Sequence, residues 1–196
     1  MDELQNGISA IIEAVEKSSD ASLAVADDEI VRNTMKVIEL SSALCQWYRQ
    51  AGPSEFEIPW SADWLRLYSV DELLECQVGY RWENRVNGKR FQEWKDSWLV
   101  IGDCGGDPFI AALDSENTPV YFARHGQGIW KPSLVAPSLG SFLSVVAKWI
   151  DVTSSFENYY DDDGVLKAEF VDEINVCFRS LLPDDCAQTL LEYVVS

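Results

Sequence analysis

The sequence predicts an α+β fold: an antiparallel β-meander packed by flanking α-helices, with a C-terminal helical extension. Three observations predict it. Amphipathic helical spacing dominates the first 50 residues, short β-rich runs separated by turn residues fill the middle, and helical spacing returns after residue 138. Helices, then a meander, then helices pack as segregated layers rather than as alternating β-α units.

Leu4, Ile8, Ile11, Ile12 and Val15 recur at helical spacing, which predicts a helix over 3–17. Residues 18–28 read as a loop, with Asp27 or Asp28 capping a second helix that starts near Glu29. Ser41 or Ser42 recaps a further helix, "ALCQWYRQ", which Gly52-Pro53 stops. Pro53, Pro59, Phe56, Trp60 and Trp64 suggest an irregular, aromatic-anchored connector. Ser69 and Glu72 have capping-box spacing and predict a short helix to about Cys76, ended by Gly79. Asn87-Gly88 marks a turn within the most basic stretch, which holds Arg81, Arg85, Lys89, Arg90 and Lys95.

"SWLVIG" (97–102), "PFIAALD" (108–114) and "PVYFARHG" (119–126) are apolar and β-branched or aromatic. Their connections are too short for a crossover helix, so they are antiparallel neighbours. "GIWKPSLVAPS" adds a broken edge strand, because Pro132 lacks a ladder donor. Ser138 caps a helix marked by Leu139, Phe142, Leu143, Val146, Trp149 and Ile150. Two more helices follow, one through Phe170, Ile174, Phe178 and Leu181 and one started by Pro183. The expected organisation is an α+β domain over 1–150 and an acidic helical extension over 151–196 packed on it.

Charge limits the partners. The 196 residues hold 33 acids against 15 Lys and Arg, a net charge of -18. Eleven of those acids and only two of the bases, Lys167 and Arg179, fall within 151–196. Such a surface repels nucleic-acid backbones and anionic lipid and steers basic partners inward. Residues 1–20 start acidic and keep polar residues throughout, unlike a secretory leader, and no apolar run reaches membrane-spanning length. The five cysteines show no zinc or disulfide spacing. A reducing cytoplasm is the expected compartment.

Three features invite chemistry. The loop Gly102-Asp103-Cys104-Gly105-Gly106-Asp107 lacks a P-loop Lys-Ser/Thr ending and precedes a strand, so it reads as a hairpin turn needing glycine at positive φ. Cys104 with His125, the only histidine, would make a thiolate-imidazolium dyad, but Asp103 and Asp107 would raise the thiol pKa. "YYDDDGVLKAEF" fails as an EF-hand: with Gly164 at the sixth position, Tyr159 and Phe170 occupy the ends where acids are required. Its acids are expected to mark a solvated boundary, with Asp163 or a neighbour capping the next helix. No metal site and no cofactor is expected. The eight Trp are expected to be mainly core, with one or two near Arg81–Arg90 or His125 serving as interface anchors.

Taken in order, "IGDCGGD" (101–107), "FIAALD", "PVYFARHG", Trp130 and "VAPSLGSFL" (135–143) resemble the SUKH superfamily. That family includes the fungal cell-wall-assembly regulator and many bacterial immunity proteins. Ser138 and Phe142-Leu143 match its closing helix, and "ELSSALCQWYRQAGP" is similar to its upstream helix, with Ser41 and Ala51 in place of the usual Pro and Asn. The likeness spans about Leu40 to Ile150. It implies an antiparallel sheet packed by helices, no catalytic residues, and a Gly102, Gly105 and Gly106 turn that determines the fold. It also implies toxin neutralisation by binding.

The expected function is therefore that of a non-enzymatic immunity protein whose acidic surface occludes a basic toxin domain, such as a nuclease. The alternative is a regulatory or scaffold module in a larger assembly. Asp103, Asp107, Tyr121, Arg124, His125, Trp130, Asp161, Asp162 and Asp163 are the candidate partner-binding residues. A homo-oligomer is compatible with the same sequence.

Overall fold

The computed structural model describes residues 2–17 and 21–195. Residues 18–20 of the loop expected at 18–28 lie outside them. The first helix, α1, spans Glu3–Val15, with the Asp2 carboxylate accepting the Gln5 amide as N-cap. A two-residue strand, β1 (Leu23–Ala24), precedes α2 (Asp28–Met35), whose N-cap is Asp27. Ser41 caps α3 (Ser42–Ala51) through the Leu44 amide. The chain then forms β2 (Gly52–Pro53), which pairs with β1. The expected loop at 18–28 therefore contains a strand, because Gly52-Pro53 leaves α3 in extended conformation and offers it a partner.

The expected irregular connector is instead a hairpin, β3 (Phe56–Trp60) and β4 (Asp63–Leu67). Phe56, Ile58 and Trp60 alternate inward, and Leu65 and Leu67 continue the same face. Pro59 is tolerated because β3 is an outer strand of the six-stranded sheet, where one side of the backbone needs no ladder partner.

The expected helix at 69–76 is also absent. The Ser69 and Glu72 contacts form, but the segment makes turns and one short 3-10 turn, Glu75–Gln77. Gln77 explains this. On its β4 side, strand β5 (Trp98–Cys104) has no strand partner at Val100, and the fully buried Gln77 carboxamide takes that place. It accepts the Val100 amide at 2.9 Å and donates to the Val100 carbonyl at 2.8 Å and the Leu73 carbonyl at 2.9 Å. A regular helix gave way to a side chain that completes the ladder.

Strands β6 (Asp107–Ala112), β7 (Val120–Phe122) and β8 (Ser133–Ala136) continue the antiparallel meander in sequence order. Helix α4 (Leu139–Ser155) follows, with a Ser138–Ser141 capping box. It passes under the sheet, with Phe142 against Phe109 at 5.3 Å between ring centroids. Helix α1 crosses α4 so closely that a Cβ on Gly7 would lie 2.2 Å from the Gly140 carbonyl oxygen. Helix α5 (Ala168–Leu181) packs on α4, and α6 (Asp184–Val194) packs on β8.

From the segment 68–97, Tyr80 and Trp94 form an aromatic cluster with Trp98 of β5 and with Trp130, and buried Arg81 donates to the Asp96 and Trp98 carbonyls.

Two substitutions test these constraints. Gln77→Ala leaves two buried backbone groups of Val100 unsatisfied and is expected to lower stability by about 2–4 kcal/mol in urea unfolding. Gly7→Ala puts a methyl inside the α1–α4 contact; loss of amide-exchange protection in α1 before the rest of the chain is the expected outcome.

Candidate interaction site at the sheet tips

Three chain reversals meet at one end of the sheet. Ser61-Ala62 joins β3 to β4, Gly105-Gly106 joins β5 to β6, and Arg124-His125 follows β7. Gly105 and Gly106 have φ of 59° and 89°, a region that disfavours side chains. A Cβ on Gly105 would also lie 2.0 Å from the Asp63 carboxylate. Gly102 works differently: it sits beside a register shift in β5, where a Cβ would come within 2.4 Å of the Arg66 carbonyl oxygen.

Hydrogen bonds hold the corner rigid. Asp103 accepts the Gly106 amide at 2.9 Å and the Tyr68 hydroxyl. Tyr80 donates its hydroxyl to the Gly106 carbonyl at 2.8 Å. Burial, then the bond to Asp103, raises the Tyr68 pKa, and burial followed by Asp103 and Asp107 raises that of Tyr80. Both phenols therefore stay protonated and donate. Asp107 accepts the His125 amide at 2.7 Å and lies 2.5 Å from His125 Nδ1.

A cleft of about 190 Å³ opens between these turns, lined by Trp60, Asp63, Cys104, Asp107, Phe122 and Arg124. The C-terminal region closes it. Tyr193 of α6 lies 4.2 Å from the Phe122 ring, and the Arg124 guanidinium sits 5.3 Å over the Tyr193 ring. Tyr160 donates to the Ser61 carbonyl, and Ser61 donates to the Val194 carbonyl.

Nothing here activates the thiol. Cys104 Sγ points at the Trp60 carbonyl, 3.9 Å away, while His125 is engaged by Asp107. Burial, then Asp63, Asp103 and Asp107, pushes the Cys104 pKa up to about 12. A protonated thiol among carboxylates is a poor nucleophile.

The structure thus brings Asp103, Asp107, Arg124 and His125 together and separates the other candidates. Tyr121 lies mid-strand on β7, paired with Ile110 and Leu134. Trp130 joins the aromatic cluster, 5.6 Å from Tyr80. Asp161, Asp162 and Asp163 are exposed before α5. Asp161 accepts the amides of Asp163 and Val165 and so organises its own turn; the cap of α5 is Lys167, with no side-chain bond, which corrects the expectation that an acid caps it. Among the described residues, no group of three or more His, Cys, Asp or Glu could hold a metal ion.

The tryptophans are mainly core, as expected, with six of the eight buried, but the exposed one lies elsewhere than near Arg81–Arg90 or His125. Trp82, Trp94 and Trp98 are buried, Trp130 is half-buried, and the exposed tryptophan is Trp64 at 50%. Its signal was present in the sequence: Trp64 is out of phase with Leu65 and Leu67, so alternation turns it outward.

The sequence profile of the SMI1 / KNR4 family (SUKH-1) matches residues 26–145, more than half of the chain. The chain belongs to that family. The match runs from just before α2 into α4, leaving α1, α5 and α6 outside it. Comparison with curated proteins and with solved structures returned no match. Membership in SUKH-1 indicates an immunity or regulatory role exercised through protein–protein interaction.

The thiol chemistry has a measurable sign. The folded chain keeps the Cys104 proton where the unfolded chain, with an ordinary value of 9.0, has lost it. Its contribution to stability is therefore present below pH 9.0 and lost as pH rises toward about 12. Cys104→Ser is expected to flatten that part of the alkaline unfolding curve relative to the parent chain.

Proposed function

We propose that this chain is a cytoplasmic, non-enzymatic immunity protein that neutralises a basic toxin domain by binding it and covering its active-site groove. The observation that carries this reading is how the structure uses its cations. In the basic stretch, Lys89 pairs with Glu83 at 2.6 Å, Arg90 pairs with Asp96, and Lys95 lies 4.8 Å over the Trp98 ring. Arg81 is buried on backbone carbonyls. Much of the positive charge is spent on internal contacts.

In the C-terminal region the acids outnumber the cations, and Asp184 pairs with Arg179 at 3.0 Å. Glu157, Asp161, Asp162, Asp163, Glu169, Asp172, Glu173, Asp184, Asp185 and Glu192 are all exposed. A potential of one sign over a surface raises association rates with an oppositely charged partner by about 10- to 1000-fold, and salt screens the effect. Family membership supports a protein as that partner, and the net charge of -18 disfavours nucleic acid and anionic membrane. Among the described residues, no helix is long and apolar enough to cross a membrane.

The test is direct binding to basic toxin domains, including any encoded beside this chain's gene, measured by surface plasmon resonance at low and high salt. Tight binding at low salt, an association rate that falls steeply with salt, and loss of toxin activity in the complex are the expected results. Failure of any basic partner to bind at low salt overturns the proposal, and binding indifferent to salt points to a regulatory module instead.

A further inference from the structure

We infer that the outer face of the β3–β4 hairpin, centred on Trp64, is where a cationic element of a partner protein docks, with an Arg or Lys side chain over the indole. This rests on the basic-partner reading above and assigns it a surface. The inner face of the hairpin is buried through Phe56, Ile58, Trp60, Leu65 and Leu67. The outer face presents Glu57, Pro59, Trp64 and Arg66, with Glu57 opposite Arg66 and Pro59 opposite Trp64. Trp64 is left 50% exposed on that face.

An indole left half in water on a rigid sheet is an unused contact. Tryptophan is the residue type most enriched where interfaces concentrate their energy, and its face attracts cations. The surrounding charge selects the sign of the ligand. Arg66 is neutralised by Glu72 at 2.6 Å and lies over the Tyr68 ring. Glu55, Glu57 and Asp63 are exposed around the hairpin. A second copy of this chain, also at -18, would meet like charge here.

The geometry selects the mode as well. Pro59 offers no donor on the outer strand, and its carbonyl is taken by Trp149 Nε1 at 2.7 Å. Strand addition along β3 is therefore blocked, and a partner reaches this site through side chains on the face. The hairpin is also held still. Ser61, at its turn, has φ of 57° and is clamped by Tyr160 and by the Val194 carbonyl. A rigid aromatic platform loses little entropy on binding.

The experiment titrates the full isotope-labelled chain with an oligo-arginine peptide at low salt and follows it by NMR. The expected result is movement of the Trp64 indole N–H resonance together with amides of 56–60 and 63–67. Trp64→Ala is expected to weaken binding about 3- to 30-fold, and Trp64→Phe to retain most of it. Glu57→Lys, which leaves the ring in place, should weaken it too, and unchanged circular dichroism shows that each variant is folded. Shifts centred on α5 and α6 with Trp64 unmoved, or unaltered affinity in folded Trp64→Ala, overturn this surface while leaving the basic-partner reading intact. No shift at low salt overturns both. A dimer of the free chain that Trp64→Ala dissolves would also overturn the assignment.

Discussion

The burial of α4 is the constraint on which the rest of the structure depends. A helix apolar on nearly every side is stable only when other elements surround it, and α4 buries Leu139, Phe142, Leu143, Val145, Val146, Trp149, Ile150 and Val152. The sheet takes one side through Phe109, α1 takes another across Gly7 and Gly140, and α5 takes a third through Phe170 and Phe178 against Trp149. Neither α1 nor α5 falls within the SUKH-1 match, yet each fills a face of α4 that would otherwise meet water. The same helix reaches the sheet tips: Trp149 donates to the Pro59 carbonyl and its ring lies tilted 4.5 Å from that of Trp60, so its position sets the hairpin that carries Trp64.

Charge is distributed by a second rule, in which location matters more than number. At the corner, Asp103 and Asp107 spend their oxygens on turn amides, Tyr68 and His125. These two acids maintain shape. The acids of α5, α6 and the turn before α5 point outward, and their mutual repulsion works against a compact chain. The fold tolerates this because they sit on the solvent side of helices whose other side is buried at Phe170, Ile174, Leu190 and Val194.

Much of this was legible in the sequence, for reasons that differ element by element. The meander from β5 to β8 was legible because short connections and apolar runs leave antiparallel pairing as the available arrangement. Helix starts at Asp27, Ser41 and Ser138 were legible because a side-chain cap is a local event. The β3–β4 hairpin was hidden by two prolines and three aromatics, which read as a connector until Pro59 is known to lie on an outer strand. The segment 69–77 kept its cap but lost its helix to Gln77, whose ladder-completing role depends on a strand more than twenty residues away. Local signals predict local structure, and here a long-range hydrogen bond prevailed.

The candidate site divides along the same line. The glycine corner could be read in advance because positive φ and close approach are demands of backbone geometry. The convergence of Asp63, Tyr160 and Tyr193 on that corner could not, since each arrives from a different part of the chain. That convergence gives the C-terminal helices a role beyond adding charge. By clamping Ser61 they stiffen the β3–β4 hairpin, and by placing Tyr193 under Arg124 they fix where that guanidinium sits. The part of the chain outside the family match thus adds rigidity to a surface built within it.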